Sequence, residues 1–184
     1  MRAAAITILL SAFLTADVAS AQEIKTEPGQ QYVVIEVTKL STLEKELNSA
    51  AKQGFRLMMS TTSEDGQRIQ ALLERIDQLP GTYQYRMVAT FSEKTGDKEM
   101  NAAASEGFRV LSHSAMVKQG LTIFNRNSVV IMEKSPETTT MYAYMTISAV
   151  RTATFHKELK AAVEQGWKVV DMTYGLVLLE RAKA

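Results

Sequence analysis

Apolar positions along the chain fall into a pattern that repeats three times. Tyr32–Val37, Tyr85–Phe91 and Tyr142–Ala149 are runs rich in tyrosine and branched residues, which predicts strands. Each run leads into apolar or small residues spaced i, i+4, i+7, i+8. These are Leu43, Leu47, Ala50 and Ala51, then Gly96, Met100, Ala103 and Ala104, then Phe155, Leu159, Ala162 and Val163. That spacing is one face of an α-helix. Small residues in its last turn let the helix sit close to whatever it covers. Ser41-Thr42-Leu43-Glu44 reads as a capping box, and Asp97 and Thr154 read as N-caps of the other two helices.

A glycine then closes each helix, followed by an aromatic, a base and an aliphatic. The three copies are Gly54-Phe55-Arg56-Leu57, Gly107-Phe108-Arg109-Val110 and Gly166-Trp167-Lys168-Val169. The glycine suits a left-handed helix terminus. A second strand is expected over Phe55–Ser60, Phe108–His113 and Trp167–Met172. A third ends on Leu72-Leu73-Glu74-Arg75, Ile131-Met132-Glu133-Lys134 and Leu178-Leu179-Glu180-Arg181. Pro28, Pro80 and Pro136 each precede a first strand and mark linkers.

The fold class that follows is α+β. Three tandem β-α-β-β units each place one helix on one face of a short sheet. Repeat unit 1 spans residues 22–76, unit 2 77–135 and unit 3 136–184. Up–down bookkeeping makes the first two strands of a unit parallel and the third antiparallel to both. The simplest order puts the third strand in the middle. Such a sheet has two open edges and one open face. Units must bury these against each other, a second chain or a ligand.

A tyrosine-rich strand, a helix ending in glycine-aromatic and a closing Leu-x-Arg strand together resemble a small bacterial domain family of unknown function. Gly166-Trp167-Lys168 and Leu179-Glu180-Arg181 match best. Phe55 and Phe108 replace the family's tryptophan, and Arg56, Arg109 and Lys168 replace its acid. The resemblance implies a fold and no activity.

Residues 1–21 read differently from the rest. Met1-Arg2, the apolar run Ala3–Leu14 and Ala19-Ser20-Ala21 are the three parts of a secretory signal peptide. The apolar run is shorter than the roughly 18–20 residues of a spanning helix. The expected mature chain begins at Gln22 and is exported, periplasmic or secreted, with bacterial origin favoured by the absence of an Asn-x-Ser/Thr acceptor. No later segment is expected to span a membrane. The chain has 184 residues, no cysteine and a formal net charge of +1. No cysteine means no disulfide, thiol nucleophile or thiolate metal site. A near-neutral balance argues against nucleic acid as a partner.

Candidate chemistry is sparse. Arg56, Arg109 and Lys168 could present cations together to a ligand, or each could pair with the glutamate of its adjacent strand, Glu74, Glu133 or Glu180. Ser49-x-x-Lys52 and Lys94-Thr95-Gly96 mimic motifs of penicillin-recognising enzymes but sit on the wrong elements. His113 and His156 lack a third metal ligand, and the methionines fit core positions. No cofactor, metal or catalytic residue is expected. The longest hairpin, Met116–Asn127, carries Leu121, Ile123 and Phe124 amid polar residues and is the expected partner contact. The leading expectation is an exported non-enzymatic scaffold for a protein, a cell-envelope component or a second copy of itself. The alternative is a small-ligand or enzymatic site in a cleft between units.

Overall fold

The computed structural model describes residues 29–76, 82–90, 93–119, 126–148, 152–173 and 175–183. Residues 1–21, whose sequence is expected to be a signal peptide, and the apolar hairpin residues Leu121, Ile123 and Phe124 lie outside these. Unit 1 contains β1 (Tyr32–Val37), α1 (Leu40–Lys52), β2 (Phe55–Thr62) and β3 (Ile69–Arg75). Unit 2 contains β4 (Gln84–Thr90), α2 (Glu93–Ser105), β5 (Arg109–Val110), β6 (Met116–Gln119) and β7 (Arg126–Lys134). Unit 3 contains β8 (Tyr142–Ser148), α3 (Thr152–Glu164), β9 (Lys168–Thr173) and β10 (Leu176–Ala182). The α+β architecture is as the repeat pattern predicts.

Each sheet runs first strand, closing strand, second strand, with the closing strand antiparallel to both neighbours. The aliphatic-rich closing strand is therefore central. Its burial differs between units in a way that reveals the stacking. In β3 burial alternates: Ile69, Ala71 and Leu73 are buried while Gln70, Leu72 and Glu74 are half-buried. In β7 the four successive residues Val129, Val130, Ile131 and Met132 are all buried, and in β10 so are Val177, Leu178, Leu179 and Glu180. A strand buried on one face alternates; a strand buried on both does not. Sheets 2 and 3 are covered on two sides, and sheet 1 on one.

The cores show what covers them. Leu43, Leu47, Ala50 and Ala51 of α1 pack with Val33, Ile35 and Leu73 of their own sheet and with Tyr85, Val129 and Ile131 of unit 2. The next core joins Met100, Ala103 and Ala104 of α2 to Tyr144 and Leu178 of unit 3. The last is confined to unit 3, where Ile147, Ala162, Val177 and Leu179 are buried and Phe155, Leu159 and Trp167 are half-buried. No described residue covers this side of α3: Val163 is 54% exposed, whereas its counterparts Ala51 and Ala104 are 3% and 1% exposed.

Three local expectations are corrected. The α1 helix starts at Leu40 with Lys39 as N-cap and no side-chain cap, so Ser41–Glu44 is not a capping box. Asp97 and Thr154 lie inside their helices rather than at the N-caps. Glu44 and Asp97 instead reach the neighbouring unit, a use that outweighs local capping. The expected strand Phe108–His113 is only Arg109–Val110. A bulge interrupts the pairing at the corresponding point of sheets 1 and 3. In sheet 2 it grows into the excursion Leu111–Ala115, where His113 takes φ 62° and the Ser114 hydroxyl bonds both the N–H and the C=O of Ile131.

The helix-closing glycines behave as expected, with φ +84° at Gly54, +93° at Gly107 and +83° at Gly166. The N–H of Phe108 reaches back to the carbonyl of Ala103, and that of Trp167 to Ala162, closing the last turn. At Gly54 an added Cβ would come no nearer than 3.9 Å to its closest neighbour, so only the backbone conformation resists a side chain. Gly54→Ala is expected to cost about 1–2 kcal/mol, read as a lowered urea midpoint at unchanged slope.

Candidate functional site

The repeated polar residues form one cross-strand row per unit. Register places Tyr32, Glu74 and Arg56 side by side in sheet 1, Tyr85, Glu133 and Arg109 in sheet 2, and Tyr144, Glu180 and Lys168 in sheet 3. Directly opposed residues share a face. The expected pairing of each base with the glutamate of its own adjacent strand is nonetheless not what forms. Arg56 donates through Nε and Nη2 to Glu133 of unit 2, at 3.1 and 2.7 Å. Arg109 donates in the same way to Glu180 of unit 3, at 3.1 and 2.5 Å. Each of these two arginines lies on an edge strand and reaches past that edge to the next unit.

Around each clamp the same partners recur. Arg56 lies over the ring of Tyr83 and Arg109 over that of Tyr142, at 4.5 and 4.2 Å. The Tyr85 hydroxyl accepts the Leu57 N–H at 2.9 Å and donates to Glu133 at 3.0 Å. The Tyr144 hydroxyl accepts the Val110 N–H at 3.0 Å and faces Glu180 at 3.4 Å. The carboxylates hold both guanidinium pKa values above their ordinary value. Burial, reinforced by the nearby glutamates, pushes the phenols of Tyr85 and Tyr144 far above theirs.

The preceding helix pairs with the open edge of each following sheet. Asn48 donates to the carbonyl of Tyr85 and accepts its N–H, both at 2.9 Å. Asn101 does the same to Tyr144, at 2.7 and 3.0 Å. One helical turn earlier, Glu44 accepts the Met87 N–H at 2.8 Å, and Asp97 accepts the Thr146 hydroxyl. Burial raises the Asp97 carboxyl, opposed by its bonds from Thr146. The match is geometric. Four helical residues rise about 6 Å and two strand residues about 6.7 Å. Acid and asparagine at i, i+4 thus meet alternate peptides of a strand, as a neighbouring strand would.

The closing bases act within their units. Arg75 lies over Phe55 at 4.3 Å and Arg181 over Trp167 at 4.7 Å, while Lys134 stands 6.0 Å from Phe108. Arg75 and Arg181 also donate to Gln53 and Gln165 carbonyls at the helix C-termini. The glycine-aromatic and Glu-base motifs therefore divide the work. The aromatic and closing base tie helix end to sheet, and the glutamate and following base tie unit to unit.

Of the proposed ligand trio, Arg56 and Arg109 line one cleft of about 530 Å³ with Ser112, Glu133, Thr138 and Tyr142. Lys168 is exposed on β9 and is not part of its lining. His113 is exposed in its turn and His156 exposed on α3. Among the described residues no group of three acidic or histidine side chains could hold a metal, and no helix is long and apolar enough to cross a membrane. Sequence reasoning missed the roles of Asn48, Asn101, Glu44 and Asp97. Their recurrence at the same helical positions was the available signal. Comparison of the chain with protein-family models, with curated proteins and with solved structures finds no match.

The side chains of Glu133 and Glu180 are 6% and 8% exposed, and those of Arg56 and Arg109 39% and 44%. Arg56→Ala leaves a buried carboxylate without its counterion. The expected loss is about 1–3 kcal/mol, below the 3–5 of a fully buried pair because the arginine is partly solvated. Arg56→Lys should recover only part of it, since an ammonium cannot make the two-pronged contact. Chemical denaturation of the three proteins checks the order. A second expectation concerns alkaline pH. In the folded chain Tyr85 and Tyr144 keep their protons, whereas unfolded phenols lose theirs near 10.0. Their contribution is complete below pH 10 and falls as pH rises above it. Phenolate absorbance from this pair should therefore appear together with loss of far-UV circular dichroism.

Proposed function

We propose that the protein is an exported, non-enzymatic scaffold that binds a protein or cell-envelope partner. Its units are read as diverged copies of the small bacterial domain that their glycine-aromatic and Leu-x-Arg motifs resemble. One observation carries the reading. The large apolar side chains left exposed among the described residues are Tyr32, Val34, Met58, Met59, Met141, Val163, Val169 and Met172, all in units 1 and 3. The helix acid and asparagine and the following arginine of units 1 and 2 are spent on joining units, which leaves the ends of the stack as the surfaces suited to a partner. Leu121, Ile123 and Phe124 extend this proposal to the unit 2 hairpin on sequence grounds alone.

A second reading has its own support. Arg56 and Arg109 share a hydroxyl-rich cleft with Ser112, Thr138, Thr139 and Thr140. Glu133 and Glu137 line it too, so cations, carboxylates and hydroxyls together suit a small polar ligand that both donates and accepts hydrogen bonds. Native mass spectrometry of the chain recovered from its host's exported fraction separates the two. The scaffold reading expects a bare chain or a discrete protein assembly. A stoichiometric small-molecule adduct, lost in Arg109→Ala, would replace it with the cleft reading.

A further inference from the structure

The interface between units is directional, and among the described residues units 1 and 3 each expose one half of it unfilled. The receiving half is an open strand edge with tyrosine and glutamate in register. It is filled at β4 and β8 by the preceding unit. At β1 the same half is present: Tyr32 corresponds to Tyr85 and Tyr144, and Glu74 to Glu133 and Glu180. No described residue supplies it with a base. Tyr32 is 47% exposed and bonds Glu74 within its own unit, and Val34, in the place of Met87 and Thr146, is 66% exposed.

The donating half is a helix face followed by an edge-strand base. In unit 3 that base is Lys168, in the place of Arg56 and Arg109, and it is exposed. Val169, whose counterparts Leu57 and Val110 give their N–H to the next unit's tyrosine, is 53% exposed. The charges of the two ends are complementary, a carboxylate at the first unit and a cation at the last. They are the same charges that join the units inside the chain.

We infer that the first unit of one molecule receives the last unit of a second copy, so that the chain associates head to tail through Tyr32–Glu74 and Lys168. This rests on the scaffold reading and names its partner. The contact is heterologous, and it builds open arrays or a closed ring according to whether the rotation closes. It is weaker than the internal joints for stated reasons. Lys168 cannot grip a carboxylate with two prongs. Lys160 stands where Asn48 and Asn101 pair with a strand peptide, and it offers no acceptor; His156 stands where Glu44 and Asp97 bond the next strand. The result is reversible, concentration-dependent assembly.

Sedimentation velocity of the mature chain tests it by charge exchange. Wild type should sediment faster as concentration rises. Glu74→Arg alone and Lys168→Glu alone should each remain monomeric, because each places like charges at the joint. An equimolar mixture of the two should recover wild-type association to within about twofold, since both joints in the mixture again carry opposite charges. Circular dichroism confirms that each variant is folded. A second variant works in the opposite direction. His156→Asp with Lys160→Asn and Lys168→Arg restores the internal acid, asparagine and arginine at the tail and should tighten association at least tenfold. A wild-type chain that is monomeric at every concentration overturns the inference, as do single variants that associate like wild type or a mixture that stays monomeric. None of these results touches the scaffold reading, which the native mass spectrum tests separately.

Discussion

Each following unit's central strand carries a buried carboxylate whose counterion belongs to the unit before it. Arg56 with Glu133 and Arg109 with Glu180 are the joints on which the rest of the stack depends. A carboxylate at the centre of a small sheet would carry a heavy desolvation cost if left alone. The preceding arginine and the row tyrosine offset it together, and both contacts demand one fixed placement of the units. The same joint brings Asn48 and Asn101 against the strand edges, so charge, edge and face are satisfied in a single register.

That arrangement explains why units this small hold together without disulfides. A three-stranded sheet with one helix leaves two edges and a face unburied. Here the helix of one unit serves two sheets: its own, through Leu43 and Leu47 or Met100, and the next one, through the same core and its polar flank. The stack alternates sheet and helix, and interior layers are buried from both sides. The cost falls on the ends. Sheet 1 keeps an open face, and α3 keeps an uncovered side, with Val34 and Val163 showing where covering stops. The candidate surfaces of the protein are therefore consequences of its repetition rather than additions to it.

Much of this was legible in the residues. The helix positions and the closing glycines follow from residue spacing, and the central place of the third strand from the simplest order of the three strands. Phe55 and Phe108 are buried beneath the helices for the same reason. The helix starts were not legible. Glu44 and Asp97 resemble capping residues because an acid near a helix start suits both capping and a tertiary bond. The strand after Gly107 was not legible either: alignment with units 1 and 3 extends it to His113, whereas the chain leaves the sheet after Val110 and the Ser114 hydroxyl bonds the Ile131 peptide groups there.

By itself the sequence determined what each unit is, because glycine conformation, helical periodicity and strand order are set within some fifty neighbouring residues. Only the tertiary structure decided whose charge answers whose. Arg56 has Glu74 opposite it in its own sheet and Glu133 in the next, and the two are equal as letters. The choice between them is made by the reach of an edge-strand side chain and by the burial that only a second unit provides. Local spacing cannot hold that information, because the distance between units is not written in either one alone.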